Sequence, residues 1–208
     1  MLLLHAIPYS TNVERVALAL AHKGLDAQVV MHEAGDRSAI LELSGQDLVP
    51  VIEHDGRVIA DSPVIIEYLE ELQPDPPLYP SDPARATEMR VFIDWFNRVW
   101  KGPPNAIADA LDAGGADDAR LAALGQEMAR ALDWFEALLT DRDFLFGDRV
   151  SAADFVVFPF LKYAASIDPA DDETFHQVLN RYQPLGDGHR RLAAWIERVD
   201  ALPRTLGV

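Results

Sequence analysis

Five prolines between residues 74 and 83, in the stretch PDPPLYPSDP, divide the chain into two parts with different patterns. Proline lacks a backbone N–H and has a fixed φ, so such a stretch cannot lie inside a helix or a sheet and favours an extended linker. Short strand and helix signals alternate before it, whereas a helical apolar period continues after it. A length of 208 residues suffices for two small domains. We therefore predict one domain over residues 1–76 and a second over 84–208.

The first part has the pattern of strand, helix, strand, helix, hairpin and helix. Leu2–His5 is a short apolar run, and the amphipathic stretch after it is ended by Gly24. Asp55-Gly56 is a tight-turn signal between two short strands. Ser62-Pro63 favours the start of another helix, with Ser62 as N-cap and Pro63 at the first helical position. The predicted order is βαβ–α–ββα, an α/β domain.

The second part is predicted to be all helical. Pro103-Pro104 should break or kink its first helix, and Ser151 and Asp154 have the spacing of a capping box, which is a structural motif. The expected helices lie near residues 84–112, 117–140, 152–167, 172–182 and 188–200.

The composition excludes several classes of protein. Eighteen Lys and Arg face 34 Asp and Glu, and the formal net charge of −16 disfavours nucleic acids and anionic membrane surfaces as partners. Cysteine is absent, and no apolar run approaches the roughly 20 residues of a membrane-spanning helix. The start MLLLHAIPYS fits a buried strand better than a signal peptide, and the six His show no metal-site spacing. The sequence thus predicts a cytoplasmic protein without a metal.

The loop Tyr9-Ser10-Thr11-Asn12, between the first strand and the first helix, is a candidate catalytic segment. A hydroxyl at a helix N-terminus can donate to a thiolate, and the helix dipole adds to the stabilisation of that charge. The alternative is structural, with Ser10 or Thr11 as an N-cap and Tyr9 in packing.

Two further motifs flank the predicted hairpin. Val49-Pro50 precedes it, and Asp61-Ser62 follows it at the start of a helix. The unpaired N–H groups of a helix start suit a carboxylate ligand. The structural alternatives are an ordinary trans proline at an edge strand and a Ser62 that serves only as an N-cap.

These motifs, together with the capping box and the Trp195–Pro203 segment, resemble the cytosolic glutathione transferase family over most of the chain. The resemblance implies a thioredoxin-like N-terminal domain, an all-helical C-terminal domain, a homodimer, and glutathione as co-substrate. Ser10, with Arg15 five residues on, matches the Ser-type members, including bacterial ones. By this resemblance Ser10 donates to the sulfur and Asn12 is a second contact, while Tyr9 and Thr11 are rivals for the role of Ser10.

The resemblance also implies roles for the motifs that flank the hairpin. The Val49–Pro50 bond would be cis, and the main chain of Val49 would bind the cysteinyl part of glutathione. Ser62 would hold the γ-glutamyl carboxylate, and Asp61 would assist with the amino group.

One position departs from the family pattern. Members often have Lys, Gln or Arg just before the Val-Pro pair, where it holds the glycyl carboxylate, and this chain has Leu48. Gln46 is the expected substitute among glutathione-binding residues, with His32 and Arg37 as the other polar candidates.

The second substrate is expected in a pocket between the two domains. Phe96, Trp100 and Tyr163, together with Tyr9, are the candidate lining residues. The alternative for aromatic residues at helical spacing is a place in the core or in a dimer interface.

The expected function is that of an enzyme that activates the glutathione thiolate for attack on a small electrophile, as in detoxification. Conjugation, dehalogenation, isomerisation and peroxide reduction remain open as the reaction. The alternative is a non-catalytic protein-interaction module of the same fold, which Leu48 favours and which Ser10 and Asp61-Ser62 disfavour.

Overall fold

The computed structural model of the protein describes residues 1–115 and 117–205, and it contains two compact units. The first comprises Met1–Ser81 together with the described end of the chain, residues 201–205, and the second comprises Asp82–Asp200. The predicted second domain extended to residue 208, whereas the described end of the chain packs on the first unit. There Thr205 N donates to Ala17 O over 3.2 Å, and Arg204 forms an ion pair with Glu14.

The first unit is built on a four-stranded mixed sheet in the order β2-β1-β3-β4. β1 and β2 are parallel, and β3 is antiparallel to both β1 and β4. The observed order βαβ–α–ββα confirms the predicted fold. The strands are β1 (Leu2–Ala6), β2 (Gln28–Met31), β3 (Val51–His54) and β4 (Arg57–Ala60), and the helices are α1 (Thr11–Lys23), α2 (Ser38–Ser44) and α3 (Ser62–Leu72).

The proline-rich segment has no helix or strand before Pro83, the first residue of the next helix, and a buried lysine anchors the segment to the first unit. The Lys23 ammonium at the end of α1 pairs with Glu70 of α3 and donates to the carbonyls of Pro74 and Pro76 at 3.3 and 2.6 Å. Glu70 also accepts from Leu78 N at 3.0 Å. These contacts tie the segment to α1 and α3.

The second unit is helical over its described residues, as predicted. The predicted long first helix is broken at Lys101, just before Pro103-Pro104, and both prolines lie in the first turn of the helix that follows. Their missing N–H groups cannot donate to the preceding turn, whereas a first helical turn needs no such donors. The elements of the second unit are α4 (Pro83–Trp95), a π-helical turn (Phe96–Trp100), α5 (Gly102–Asp112), α6 (Asp118–Leu138), α7 (Ala152–Leu161), a 3₁₀ turn (Lys162–Ala164), α8 (Thr174–Tyr182) and α9 (Arg190–Asp200).

Helix α7 is the centre of this unit, because every one of its residues is buried. The predicted capping box at its start is confirmed: Ser151 N and Ser151 Oγ donate to Asp154 at 2.8 and 2.7 Å. Asp154 also accepts from Leu145 N at 2.9 Å and from Trp195 Nε1 of α9 at 2.8 Å. One buried carboxylate thus joins the preceding loop, α7 and α9. Across the described residues, no helix is both long and apolar enough to cross a bilayer.

Candidate functional site

The three candidate motifs of the first unit meet at one end of the sheet. Val51, the first residue of β3, pairs with His5 near the end of β1 and with Ala60 at the end of β4. The loop that leaves β1 toward Ser10, the Val49-Pro50 turn and the Asp61-Ser62 pair therefore lie at that same end. The register of the sheet, rather than proximity in sequence, brings them together.

Ser10 is the N-cap of α1. Its backbone is extended, with φ −74° and ψ 113°, and its Oγ accepts a hydrogen bond from Val13 N at 3.3 Å. Because this bond uses only an oxygen lone pair, the hydroxyl hydrogen can still be donated to a ligand. Thr11, the rival hydroxyl, is buried at the first helical position, and Asn12 beside it is half-buried.

Tyr9 has a left-handed backbone, with φ 60°, and its side chain is 65% exposed. Asp61 also has a positive φ, 73°, just before α3. Non-glycine residues in such regions cost about 1–3 kcal/mol each, and this strain concentrates at functional sites. Both residues border the candidate site, while two other such residues, Asp55 and Asp141, lie in turns elsewhere.

The peptide bond between Val49 and Pro50 is cis, as the family resemblance implied and contrary to the alternative of an ordinary trans proline. Both residues are buried, and β3 begins immediately after them. The turn is thus fixed to the sheet at the end where Ser10 and Ser62 lie.

The prediction that Ser62 is the N-cap of its helix is wrong. Ser62 is the first residue of α3, and Asp61 holds the cap position without a side-chain cap hydrogen bond. The Ser62 hydroxyl, only 2% exposed, instead accepts from Arg15 Nη1 at 3.1 Å. The oxygen that was predicted to cap α3 is therefore hydrogen-bonded to Arg15, a residue 47 positions earlier in the chain.

Arg15 is fully buried in α1, and sequence reasoning noted it only for its spacing from Ser10. Burial lowers the pKa of the Arg15 guanidinium to about 9, and the negative charge of Asp61 acts in the opposite direction. At neutral pH Arg15 is therefore a buried cation beside the start of α3. A buried charge is costly to a fold unless it is paired, and the negative charge of Asp61 offsets part of the cost of burying Arg15.

The segment before Val49 is braced by its own polar side chains. Gln46 Nε2 donates to Leu48 O at 2.8 Å, and its Oε1 accepts from Leu48 N at 2.6 Å. Arg37 donates to the carbonyls of Ala34 and Asp47 at 3.1 and 3.3 Å. Leu48 itself is 64% exposed. The amide of Gln46 thus holds the turn in shape, and its role toward glutathione stays a prediction.

A chain of three titratable groups, which sequence reasoning missed, crosses the same sheet. Glu53 Oε1 lies 2.9 Å from His5 Nε2, and His5 Nδ1 lies 2.9 Å from His32 Nε2. The sequence does not indicate these contacts, because Glu53 lies in β3 and His32 directly follows β2, both far from His5 along the chain.

The three aromatic candidates of the second unit lie in packed positions. Phe96 stacks on Trp100 with ring centroids 4.5 Å apart, and Phe135 and Phe160 pack edge-on against this pair. Tyr163 is also buried. Packing explains all three, and their contact with a second substrate stays a prediction.

The residues described by the structure contain no group of three or more His, Asp or Glu side chains that could hold a metal ion. The groups present at this end of the sheet are hydroxyls, main-chain N–H groups, two helix starts and one buried guanidinium.

Comparison with known proteins gives matches in both units. The family model for the glutathione S-transferase N-terminal domain matches residues 4–77, and the model for the C-terminal domain matches residues 118–198. Maleylacetoacetate isomerase of Pseudomonas aeruginosa is 36% identical over 165 residues, covering 75% of this chain and 77% of that protein. FtsZ-localized protein A of Caulobacter vibrioides is 34% identical over 164 residues, covering 73% and 72%.

A solved structure agrees with these matches. The crystal structure of rice GST1 in complex with glutathione has a TM-score of 0.75 and 26% identity, covering 95% of this chain and 86% of that chain. The fold is that of a thioredoxin-like domain followed by a helical domain. The chain belongs to the glutathione S-transferase family, as the resemblance of its motifs predicted.

Proposed function

We propose that this protein is a Ser-type glutathione transferase, which ionises the thiol of glutathione beside Ser10 and directs the thiolate to a small electrophile. The observation that carries the proposal is the convergence of Ser10, the Val49-Pro50 turn and Ser62 at one end of the sheet. Family membership supports glutathione as the ligand at that end.

In the proposed binding mode, the γ-glutamyl carboxylate lies at Ser62, where the first N–H groups of α3 and its dipole favour an anion. Asp61 faces the ammonium group, and the main chain of Val49 pairs with the cysteinyl residue. The thiol then reaches the start of α1. Ser62, Asp61 and the Val49 main chain, the three groups proposed to bind glutathione, are all held in place by the fold.

Ionisation of the thiol depends on two features, the Ser10 hydroxyl and the start of α1. A free thiol has a pKa of about 8.5, and a helix N-terminus lowers it. The Ser10 hydroxyl donates to the sulfur, while Asn12 is a second donor within the first turn. The thiol proton leaves to solvent, and the thiolate forms a bond to an electrophilic carbon. A leaving group then departs with its electron pair, or the adduct takes up a proton.

The reaction class is open to direct assay. The similarity to a maleylacetoacetate isomerase supports an isomerisation assay on a maleyl-type double bond, beside a conjugation assay on an aryl halide. In isomerisation the thiolate adds to the double bond, the new single bond rotates, and the thiolate leaves again, so glutathione is regenerated.

The test is a pH titration of the thiolate absorbance of bound glutathione. We expect a lowered thiol pKa in the wild type and a higher one in Ser10→Ala, with part of the shift retained because the helix start remains. Tyr9→Phe is the matched control and should not alter the pKa. An unchanged pKa in Ser10→Ala, with a shift in Tyr9→Phe or Asn12→Ala instead, would assign the role to that neighbour.

Glutathione-affinity chromatography distinguishes the proposed enzyme from a non-catalytic interaction module. We expect retention on a glutathione-affinity column and elution by free glutathione. Wild-type protein that passes through the column and shows no heat of glutathione binding would contradict the proposed function and favour the non-catalytic alternative.

We also propose a homodimer in which the first unit of one chain meets the helical unit of another. Exposed apolar side chains on both units support it, Leu48 and Val64 on the first and Val91 and Trp134 on the second. Trp134 borders an apolar groove of about 580 Å³ between α4 and the end of α6. Sedimentation should give twice the 23.1 kDa chain mass, and Trp134→Glu should shift the protein toward the monomer. A monomeric wild type would refute this proposal.

A further inference from the structure

We propose that Arg15 is a positioning residue for the γ-glutamyl end of the ligand, acting through the hydroxyl of Ser62 without contacting the ligand itself. This inference rests on the proposed function. It assigns a binding task to a buried side chain of α1 that lies outside the three motifs.

The direction of the hydrogen bond between these two side chains is fixed by chemistry. A guanidinium has only donors, so in the 3.1 Å contact Arg15 Nη1 donates and Ser62 Oγ accepts. The hydroxyl hydrogen of Ser62 must therefore point elsewhere. Ser62 is thereby held as a donor, which is the role that a carboxylate ligand requires.

The charge of Arg15 strengthens that donor. A hydrogen bond from a cation polarises the oxygen that accepts it, and neighbouring hydrogen bonds reinforce one another in a low dielectric. Both side chains are almost fully buried, at 1% exposure for Arg15 and 2% for Ser62, so solvent screens this effect little.

Arg15 also supplies a local positive charge in a chain with a net charge of −16. Its pKa, about 9, keeps it protonated at neutral pH. Asp61 is exposed, and its negative charge favours the protonated form of Arg15 while leaving the carboxylate accessible to the ammonium group of the ligand. A carboxylate that arrives at Ser62 gains the attraction of a buried cation one side chain away, which offsets part of the cost of burying that cation.

A purely structural role for Arg15, as a tie between α1 and α3, predicts a different pattern of losses. If Arg15 only holds α1 to α3, its removal would lower the affinity of all ligands of the site by the same factor. A positioning role weakens only ligands that carry the γ-glutamyl carboxylate, because only they use Ser62.

The experiment uses the full chain and three thiol ligands: glutathione, γ-glutamylcysteine and cysteinylglycine. Their dissociation constants are measured by calorimetry for the wild type, Arg15→Met and Arg15→Lys. We expect Arg15→Met to weaken glutathione and γ-glutamylcysteine by the same factor, about 10- to 100-fold, and to leave cysteinylglycine within about two-fold. Arg15→Lys, which keeps a cation and a donor, should restore part of the loss.

Arg204→Met is the matched control, because Arg204 also pairs with α1, through Glu14, but does not contact Ser62. It should lower stability without changing the order of the three ligands. If Arg15→Met fails to fold, Arg15→Lys and Ser62→Ala form the test: each should weaken the γ-glutamyl ligands, and the double variant should weaken them less than additively.

Equal weakening of all three ligands by the Arg15 variants, or no weakening at all, would overturn the positioning role. A wild type that binds glutathione while the Arg15 variants bind it equally well refutes this inference alone. A wild type that binds none of the three ligands refutes the proposed function and with it the inference.

Discussion

Single hydroxyls at this site serve the fold and remain available to a ligand. Ser10 Oγ accepts from Val13 N, and Ser62 Oγ accepts from Arg15, so both use an oxygen lone pair and keep a hydrogen to donate. From the sequence, N-capping of α1 and donation to a thiolate are two alternative roles for Ser10. The geometry shows that N-capping by Ser10 and donation by Ser10 do not compete.

We expect the buried carboxylate of Asp154 to stabilise the second unit through its hydrogen bonds. Burial raises the pKa of this carboxyl group, and the hydrogen bonds it accepts oppose that rise. In Asp154→Asn, one oxygen becomes an NH₂ group that faces donors from Ser151, or from Leu145 and Trp195. A buried donor left unpaired costs about 1–3 kcal/mol, so we expect the free energy of unfolding to fall by at least that amount.

Denaturant unfolding of Asp154→Asn and of Asp148→Asn would check this expectation. Asp148 is an exposed acid shortly before α7, and its variant should stay within about 0.5 kcal/mol of the wild type. Equal midpoints for the two variants would show that the buried network does not stabilise the unit.

At the scale of elements, the sequence predicted the features that depend on local pattern. The βαβ–α–ββα order, the helix break just before Pro103-Pro104 and the capping box followed from apolar period, missing N–H groups and residue spacing. The cap of α3 and the bond between Arg15 and Ser62 did not, because the partners lie far apart in sequence and only the packing of α1 against α3 joins them.

The crossing of α6 and α8 depends on Gly125, which the sequence did not single out. A Cβ at this position would lie 2.3 Å from Cδ1 of Tyr182 in α8, far inside van der Waals contact. Alanine is about 1 kcal/mol better than glycine in a helix, but overpacking costs about 1–3 kcal/mol. We therefore expect Gly125→Ala to lower the thermal midpoint of unfolding, despite its better helix propensity.

Gly188→Ala is the control for that variant, because a Cβ at Gly188, in the loop before α9, meets no atom within 4 Å apart from its chain neighbours. It should leave the midpoint unchanged or raise it. Replacing Tyr182 by Leu in the Gly125→Ala background should recover stability. A Gly125→Ala variant as stable as the wild type would mean that the tyrosine ring moves away at no cost.

At the scale of the whole molecule, the chain enters the helical unit after Ser81 and leaves it after Asp200. The sequence did not predict that the chain after Asp200 packs on the first unit. The helical apolar period ends near residue 200 and indicates no packing partner for the residues that follow. An ion pair between Arg204 and Glu14 and the main-chain bond to Ala17 hold the returning segment to α1. Helix α1, which Ser10 caps, is thus held in place by residues 204 and 205.

Net charge gives the last prediction, which concerns salt. The protein carries −16, and glutathione at neutral pH has two carboxylates and one ammonium group, so the two repel at long range. The Debye length falls from about 30 Å at 0.01 M salt to about 10 Å at 0.1 M, which screens this repulsion. The buried Arg15 and the start of α3 attract the ligand only at short range, where screening is weak.

We therefore expect the KM for glutathione to fall by about two-fold or more between about 0.01 M and 0.1 M salt. Glutathione esterified at its glycyl carboxylate has no net charge, and its KM should stay flat over the same range. A KM for glutathione that rises with salt would show that exposed cationic contacts, rather than the overall field, govern capture of the ligand.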